Sequence, residues 1–197
     1  MVDLSPTRSR TRSAILDAAA EAFRKEGFDR TSMDEIAKRA NVARGTVYNN
    51  FESKEDVAIG VAERLRVVGY QHLSLMRANG ADTLSLFESF FSAAGRSIAE
   101  NREAFFYATV AAARGVGRTP TRPGTTQLFT ELVVQGQQEG VFRQDLSAPV
   151  IARLLSALLT QSALQGPDAS FGEIENWPMI LLRTAFEGVL NSEWTTP

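Results

Sequence analysis

Apolar residues recur every three or four positions along almost the whole chain, and nowhere do they alternate in the two-residue period of a half-buried strand. The pattern and its punctuation predict an all-α protein of about nine helices. The first runs from about Thr7 to Glu26, with Ile15, Ala19, Ala22 and Phe23 on one side and Gly27 as its stop. The second opens at Ser32, where Ser32-Met33-Asp34-Glu35 fits a capping box, and buries Met33, Ile36, Ala37 and Ala40. Asn41 ends it, because a tight turn needs a residue that accepts positive φ. A very short third helix covers Arg44 to Asn50, with Val42 as a buried plug before it. Ser53 caps a long fourth, with Asp56 three residues on, and Val57, Val61, Leu65, Val68, His72 and Leu75 form its apolar stripe as far as Arg77. The fifth starts near Asp82, the sixth covers Arg102 to Arg114, and the seventh covers Thr125 to Glu139. Ser147 caps the eighth, and the ninth begins near Asn176. By composition, 115–124 and 166–172 are loops.

The third helix is anomalous. Two turns are unstable alone, since nucleation costs more than so few bonds return. Val42, Val47 and Phe51 are its only strong anchors. At about 100° per residue Val47 and Phe51 share one side. Gly45, Thr46 and Asn49 then face away, with Tyr48 and Asn50 on the flanks and Arg44 able to reach outward from the first turn. Such a surface suits a DNA major groove, where Arg pairs with a guanine edge and Asn with an adenine edge. Thr and Tyr hydroxyls donate to phosphates and fix orientation. Lys54, Thr31 and Ser32 lie at the starts of neighbouring helices and extend the same surface. A short helix, a turn at Asn41 and a second short helix make a helix-turn-helix. From spacing alone, a plain helical corner that never meets DNA fits equally well.

Composition narrows the classes. The chain has 197 residues, 44% of them hydrophobic, and no cysteine, so disulfides, thiolate metal sites and thiol nucleophiles are excluded. With one histidine, His72, a His-rich zinc site is excluded too, and no carboxylate pair is spaced for acid–base work. We therefore expect no enzyme, no catalytic residue, no metal and no cofactor. No apolar run is long enough to span a membrane, and the N-terminal segment lacks the apolar core of a secretory signal, so the cytoplasm is the expected location. Net charge is −2, but residues 1–55 carry +1 and the rest −3. Arg8, Arg10 and Arg12 crowd the start, as a solvated tail or a phosphate-seeking arm.

Residues 9–60, and above all "FDRTSMDEIAKRANVARGTVYNNFESKEDV" (28–57), resemble the TetR family of bacterial transcriptional regulators. The resemblance lies in Thr31-Ser32, Ile36-Ala37, Gly45-Thr46-Val47-Tyr48, Phe51 and Ser53-Lys54-Glu55 in fixed register. It implies a DNA-binding domain over 9–60, with its helix-turn-helix at about 32–51, and an effector-binding and dimerisation domain over 61–197. It implies groove contacts from Arg44, Gly45, Thr46, Tyr48 and Asn49, and phosphate contacts from Ser32, Tyr48, Asn50 and Lys54. Three positions depart from the family pattern: Asn41 replaces a common glycine, Ala43 a common capping Ser, and Asn50 a common aromatic or His.

Beyond residue 60 the resemblance is architectural, with one local echo in "GVFRQDLSAPVIARLLSALL" (140–159). The eighth helix is apolar almost all round, so it is expected to be buried on more than one side. The family solution is a four-helix bundle from two subunits, here a C2 homodimer through Leu154, Leu155, Leu158, Ser162, Phe186 and Leu190; the alternative is a helix central to one subunit's core. The resemblance also implies a small, mostly apolar ligand between helices four and seven. Phe87, Phe91, Phe106, Tyr107 and Phe129 are lining candidates, with Tyr70 and His72 as polar anchors, although aromatic clusters at helical spacing are usually core. The implied function is a repressor on a palindromic operator of double-stranded DNA, released by that ligand. A helical module that stores a ligand without touching DNA is the competing reading.

Overall fold

The computed structural model describes residues 6–116, 124–165 and 170–187. Nine helices and no strands are present among them: α1 (Pro6–Glu26), α2 (Met33–Arg39), α3 (Arg44–Asn50), α4 (Lys54–Ala78), α5 (Thr83–Glu100), α6 (Arg102–Ala113), α7 (Thr125–Gln138), α8 (Ala148–Ala163) and α9 (Phe171–Glu187).

Local chemistry explains most of these boundaries. Ser32 Oγ accepts the Glu35 N–H at 3.1 Å, which caps α2. Only half of the expected capping box forms, because the Glu35 carboxylate turns instead to Arg39 at 2.9 Å. Asn41 adopts φ +52°, the left-handed conformation the turn requires. The Asn41 N–H then reaches Lys38 O at 3.2 Å and the Val42 N–H reaches Ala37 O at 3.1 Å, which closes α2 in a Schellman motif. At α4 the Asp56 N–H donates to Ser53 Oγ at 3.1 Å, while the Asp56 carboxylate accepts the Glu52 N–H at 3.2 Å.

The ninth helix starts earlier than its sequence pattern suggested, at Phe171 rather than near Asn176. Ser170 and Glu173 form a reciprocal capping box, with the Ser170 N–H on Glu173 Oε2 at 2.9 Å and the Glu173 N–H on Ser170 Oγ at 3.3 Å. The Ser170 hydroxyl also holds the Glu173 carboxyl below its ordinary pKa.

The chain divides into two units. The first comprises 6–68, 100–116 and 163–165 among the described residues; the second comprises 69–99, 124–162 and 170–187. The division passes through α4 and gives α6 to the first unit, whereas the sequence suggested a single cut after residue 60. The first core gathers Ile15, Phe23, Phe28, Ile36, Val47, Phe51, Val61 and Ala104 from α1 to α4 and α6. The second gathers Leu73, Phe87, Phe91, Phe129, Leu155 and Leu182 from α4, α5, α7, α8 and α9.

The expected stripe on α4 is corrected in its second half. Val68 and Leu75 are 59% and 66% exposed, and His72 is exposed as well. The inward stripe runs Val61, Leu65, Gly69, Leu73 and Met76, an unbroken series of three- and four-residue steps. At Gly69 the Phe90 ring comes so close that a Cβ would sit 3.2 Å from it. A glycine on a buried face contributes no hydrophobic signal, so the pattern slips by one position to Val68.

Candidate nucleic-acid interface

Helix α3 is held from behind and displayed in front. Val47 and Phe51 are fully buried in the first core, each burial worth about 1.5–3 kcal/mol. Val42 is half-buried against the same core. Arg12, on α1, completes the clamp. Its guanidinium lies 4.1 Å from the Phe51 ring centroid and donates to Asn50 O at 3.0 Å, a cation at the C-terminal end of α3. The sequence offered Arg12 as a tail or a phosphate-seeking arm; this guanidinium is committed to the fold.

On the outer side, Arg44, Gly45, Tyr48 and Asn49 are exposed, and Thr46 and Asn50 are half-exposed. The Asn50 amide donates to Thr46 O at 2.7 Å, so part of its donor capacity is already used. Ala43 occupies the N-cap with extended backbone and makes no capping bond, which matches the missing hydroxyl seen in the sequence. Arg44 Nε donates to Asp34 Oδ1 on α2 at 3.0 Å, and its guanidinium sits 5.5 Å from the Tyr48 ring. Tyr48 first, and then Asp34, hold the Arg44 pKa above its ordinary value.

Two expected phosphate donors are placed otherwise. Thr31 is only 1% exposed, and its hydroxyl donates to Gly27 O at 2.8 Å, closing the α1–α2 turn. Lys54 spends its ammonium on the carbonyls of Phe28, Thr31 and Asp29, at 2.6, 2.9 and 3.3 Å, and lies 4.4 Å from the Phe28 ring centroid. The three donors of a Lys ammonium match the three carbonyls of the loop between α1 and α2. Ser32 remains exposed at the surface.

The ligand and dimer candidates separate in the same way. Tyr107 belongs to the first unit, where it stacks on Phe28 at 3.9 Å and donates to Asp29 Oδ2 at 3.0 Å. Phe106 packs edge-on against Tyr107. Phe87, Phe91 and Phe129 are fully buried among one another in the second core. Tyr70 is partly buried, its hydroxyl 2.8 Å from Thr125 Oγ1, and His72 lies outside, 3.1 Å from Ser89 Oγ. Of the interface candidates, Leu154 and Phe186 are exposed and Leu158 is half-buried. Leu155 faces its own unit's core, and Ser162 is buried with its hydroxyl on Leu158 O at 2.9 Å. Leu190 lies outside the described residues. The eighth helix thus buries Ala152 and Leu155 and leaves Val150 and Leu154 bare.

No group of three potential metal ligands occurs among the described residues, and no helix there is long and apolar enough to cross a membrane. A short helix clamped from behind, joined through a left-handed asparagine turn to a capped partner and presenting Arg, Gly, Tyr and Asn outward, defines the helix-turn-helix class. Residues 15–61 match the family model described as bacterial regulatory proteins, tetR family. The Bacillus subtilis fatty acid metabolism regulator protein is 43% identical over 47 residues, a match spanning 24% of this chain and 24% of that protein. The transcriptional repressor BepR of Brucella suis is 28% identical over 160 residues, 76% of this chain and 77% of that one. The crystal structure of Thermus thermophilus FadR, a TetR-family transcriptional repressor in complex with lauroyl-CoA, superposes with a TM-score of 0.69 at 27% identity, covering 94% of this chain and 98% of the other. Residues 15–61 thus carry the segment that this family's model describes, and over most of its length the chain is similar to a TetR-family repressor.

Proposed function

We propose that the protein is a transcriptional repressor that binds a palindromic operator as a C2 homodimer and is released by a small, mostly apolar ligand. The observation that carries the reading is α3 itself, a two-turn helix that spends Val47 and Phe51 on anchorage and leaves Arg44, Gly45, Tyr48 and Asn49 bare. Nothing in the stability of the fold calls for that outer surface, whereas a guanine or adenine edge does. Asn49 reads bases beside Arg44, and Ser32 and Tyr48 hold phosphates.

A second copy is the proposed occupant of the apolar face that α8 and α9 leave open. Val150, Leu154 and Ile180 are about half-exposed, whereas Phe186, more than a third exposed, packs its ring on Phe87 and Phe142 of its own unit. Two recognition helices in such a dimer fall in successive major grooves, about 34–36 Å apart. The lauroyl-CoA bound by the Thermus thermophilus relative, an apolar acyl chain on a polar, anionic carrier, makes a long-chain acyl-CoA the first effector to try, with its acyl chain as the apolar part. Tyr70 and Thr125 supply a polar anchor in the second unit. The reading assigns no catalytic role to any residue and places the protein with its DNA in the cytoplasm.

A gel shift on the palindrome upstream of the protein's own gene tests the reading, with lauroyl-CoA titrated against the complex. Arg44→Ala and Tyr48→Phe should each weaken binding and change its salt dependence. Unchanged binding in both would remove α3 from the interface. Retention of lauroyl-CoA with no DNA binding at low salt would favour a storage module instead.

A further inference from the structure

Along α7 and α8 the serine and threonine hydroxyls after Thr125 all donate to oxygens of their own unit. Thr126 donates to Ser156 Oγ at 3.0 Å and Ser156 to Ala152 O at 2.8 Å, a chain that ends on a backbone carbonyl. Thr130, Thr160 and Ser162 donate to carbonyls one turn earlier on their own helices. Thr125 differs. Its Oγ1 lies 2.8 Å from Tyr70 Oη on α4, and either atom can be the donor. Two hydroxyls carry two hydrogens, and their mutual bond uses one. Thr125 is the first residue of α7, so no carbonyl of its own helix stands four residues before it. One donor is thus left over on a pair of half-buried residues. Their surroundings are apolar. The Tyr70 ring stacks on Phe90 with centroids 6.0 Å apart, and Leu128, one turn on from Thr125, packs against the same core.

The cations of this unit lie elsewhere. Among the described residues His72, Arg77, Arg96, Arg143, Arg153 and Arg183 are all exposed. The first-turn N–H groups of α7 point back toward Gly124, which is exposed, so water answers them. We infer that the effector's buried polar atom is an uncharged carbonyl oxygen, that of an ester or thioester, and that the site rejects the corresponding carboxylate. The inference rests on the effector reading, in which Tyr70 and Thr125 anchor the ligand. One spare donor matches one acceptor oxygen, so a carbonyl exchanges its bond to water for a bond to the pair. A carboxylate brings two oxygens and a full charge to one donor in an apolar setting, with no cation beside it, and a charge buried in that way is far costlier than a carbonyl. In an acyl-CoA the acyl carbonyl takes the spare hydrogen, and the anionic carrier stays in water.

Isothermal titration calorimetry of the full chain without DNA, at about pH 8, tests this with methyl decanoate, decanoate and lauroyl-CoA. Decanoate is ionised at that pH, and the methyl ester should bind at least about tenfold more tightly. Either single variant, Tyr70→Phe or Thr125→Val, leaves one hydroxyl able to donate and should keep that preference. The double variant leaves none and should lose affinity for the ester by about five- to 100-fold. Thermal melts of each variant separate that loss from loss of folding. Decanoate binding as tightly as the ester would overturn the inference, because it requires a cation at the site. So would an unchanged ester affinity in a folded double variant, which would place the carbonyl elsewhere. If the ester, the carboxylate and lauroyl-CoA all give neither heat of binding nor a shift in Tm, the effector reading itself falls, a result distinct from an altered preference.

Discussion

Replacing Lys54 by Met separates the two roles open to this residue. Methionine keeps an apolar stem against Phe28 and deletes the ammonium. Three carbonyls then lose their donor. The Asp29 carbonyl lies in an exposed contact and is readily rehydrated, while the bonds to Phe28 and Thr31 are partly buried. Hydrogen bonds to a charged group are worth about 1.5–3 kcal/mol each. Two of them sharing one half-exposed ammonium give a loss of about 2–4 kcal/mol once solvent screening is allowed for. In a chain of this length each kcal/mol shifts Tm by about 2–4 °C, so the expected drop is roughly 4–16 °C. Urea unfolding followed by circular dichroism should show the corresponding fall in midpoint. DNA affinity, measured well below that midpoint, should keep its salt slope. A loss of stability under about 0.5 kcal/mol, combined with a slope shallower by about one, would refute the reasoning and make Lys54 a phosphate ligand.

Ala43→Ser places a hydroxyl on an N-cap whose backbone is already extended, at φ −64° and ψ 145°, and should stabilise the protein by about 0.5–2 kcal/mol in thermal melts. Gly95→Ala drives a Cβ to 2.1 Å from the Glu175 carbonyl oxygen, so α5 and α9 must part, at a cost of about 1–3 kcal/mol or more; Gly172→Ala, in open space on α9, should cost nothing measurable. Gly45→Ala also enters open space, in the first turn of α3 and at ordinary φ, and should add about 0.4–1 kcal/mol of stability through the unfolded chain. It should nevertheless weaken DNA binding, because a methyl group stands off the backbone there; a gain in both stability and affinity would contradict the placement of Gly45 against DNA.

Most helix boundaries were legible because they rest on short-range chemistry. Ser32, Asn41 and Ser53 act within four residues of themselves, and each caps or turns as its type dictates. The start of α9 was equally local, since Ser170 and Glu173 stand at capping-box spacing, but Gly166, Pro167 and Gly172 around them read as loop. What failed depended on residues distant in sequence. The face of α4 is decided by Phe90, which presses on Gly69 from another helix and leaves no apolar mark in the pattern. Tyr107 was read with the aromatic residues around it in sequence, yet its ring and hydroxyl serve Phe28 and Asp29, some 78 positions away. Leu155 and Ser162 fall on the inner side of α8 and Leu154 on the outer, and a helix apolar all round gives no means of telling them apart.

The candidate site shows the same limit in sharper form. Residue type states what a side chain can bind, but not whether the fold has already bound it. Thr31, Lys54 and Arg12 all carry donors suited to phosphate, and the fold spends each on its own carbonyls. Arg44 and Tyr48 carry donors too, and theirs stay at the surface. The difference lies in what the donors answer. Thr31 and Lys54 satisfy the carbonyls of a turn that α2 needs in order to start at Ser32, and Arg12 satisfies the end of a helix too short to hold itself. These donors are therefore part of what positions α3, and removing them should act through stability. Arg44 answers Asp34 and the Tyr48 ring, both on exposed residues. An interaction that stabilises so little is cheap to exchange, which leaves the Arg44 guanidinium open to a partner in a way that the Lys54 ammonium is not.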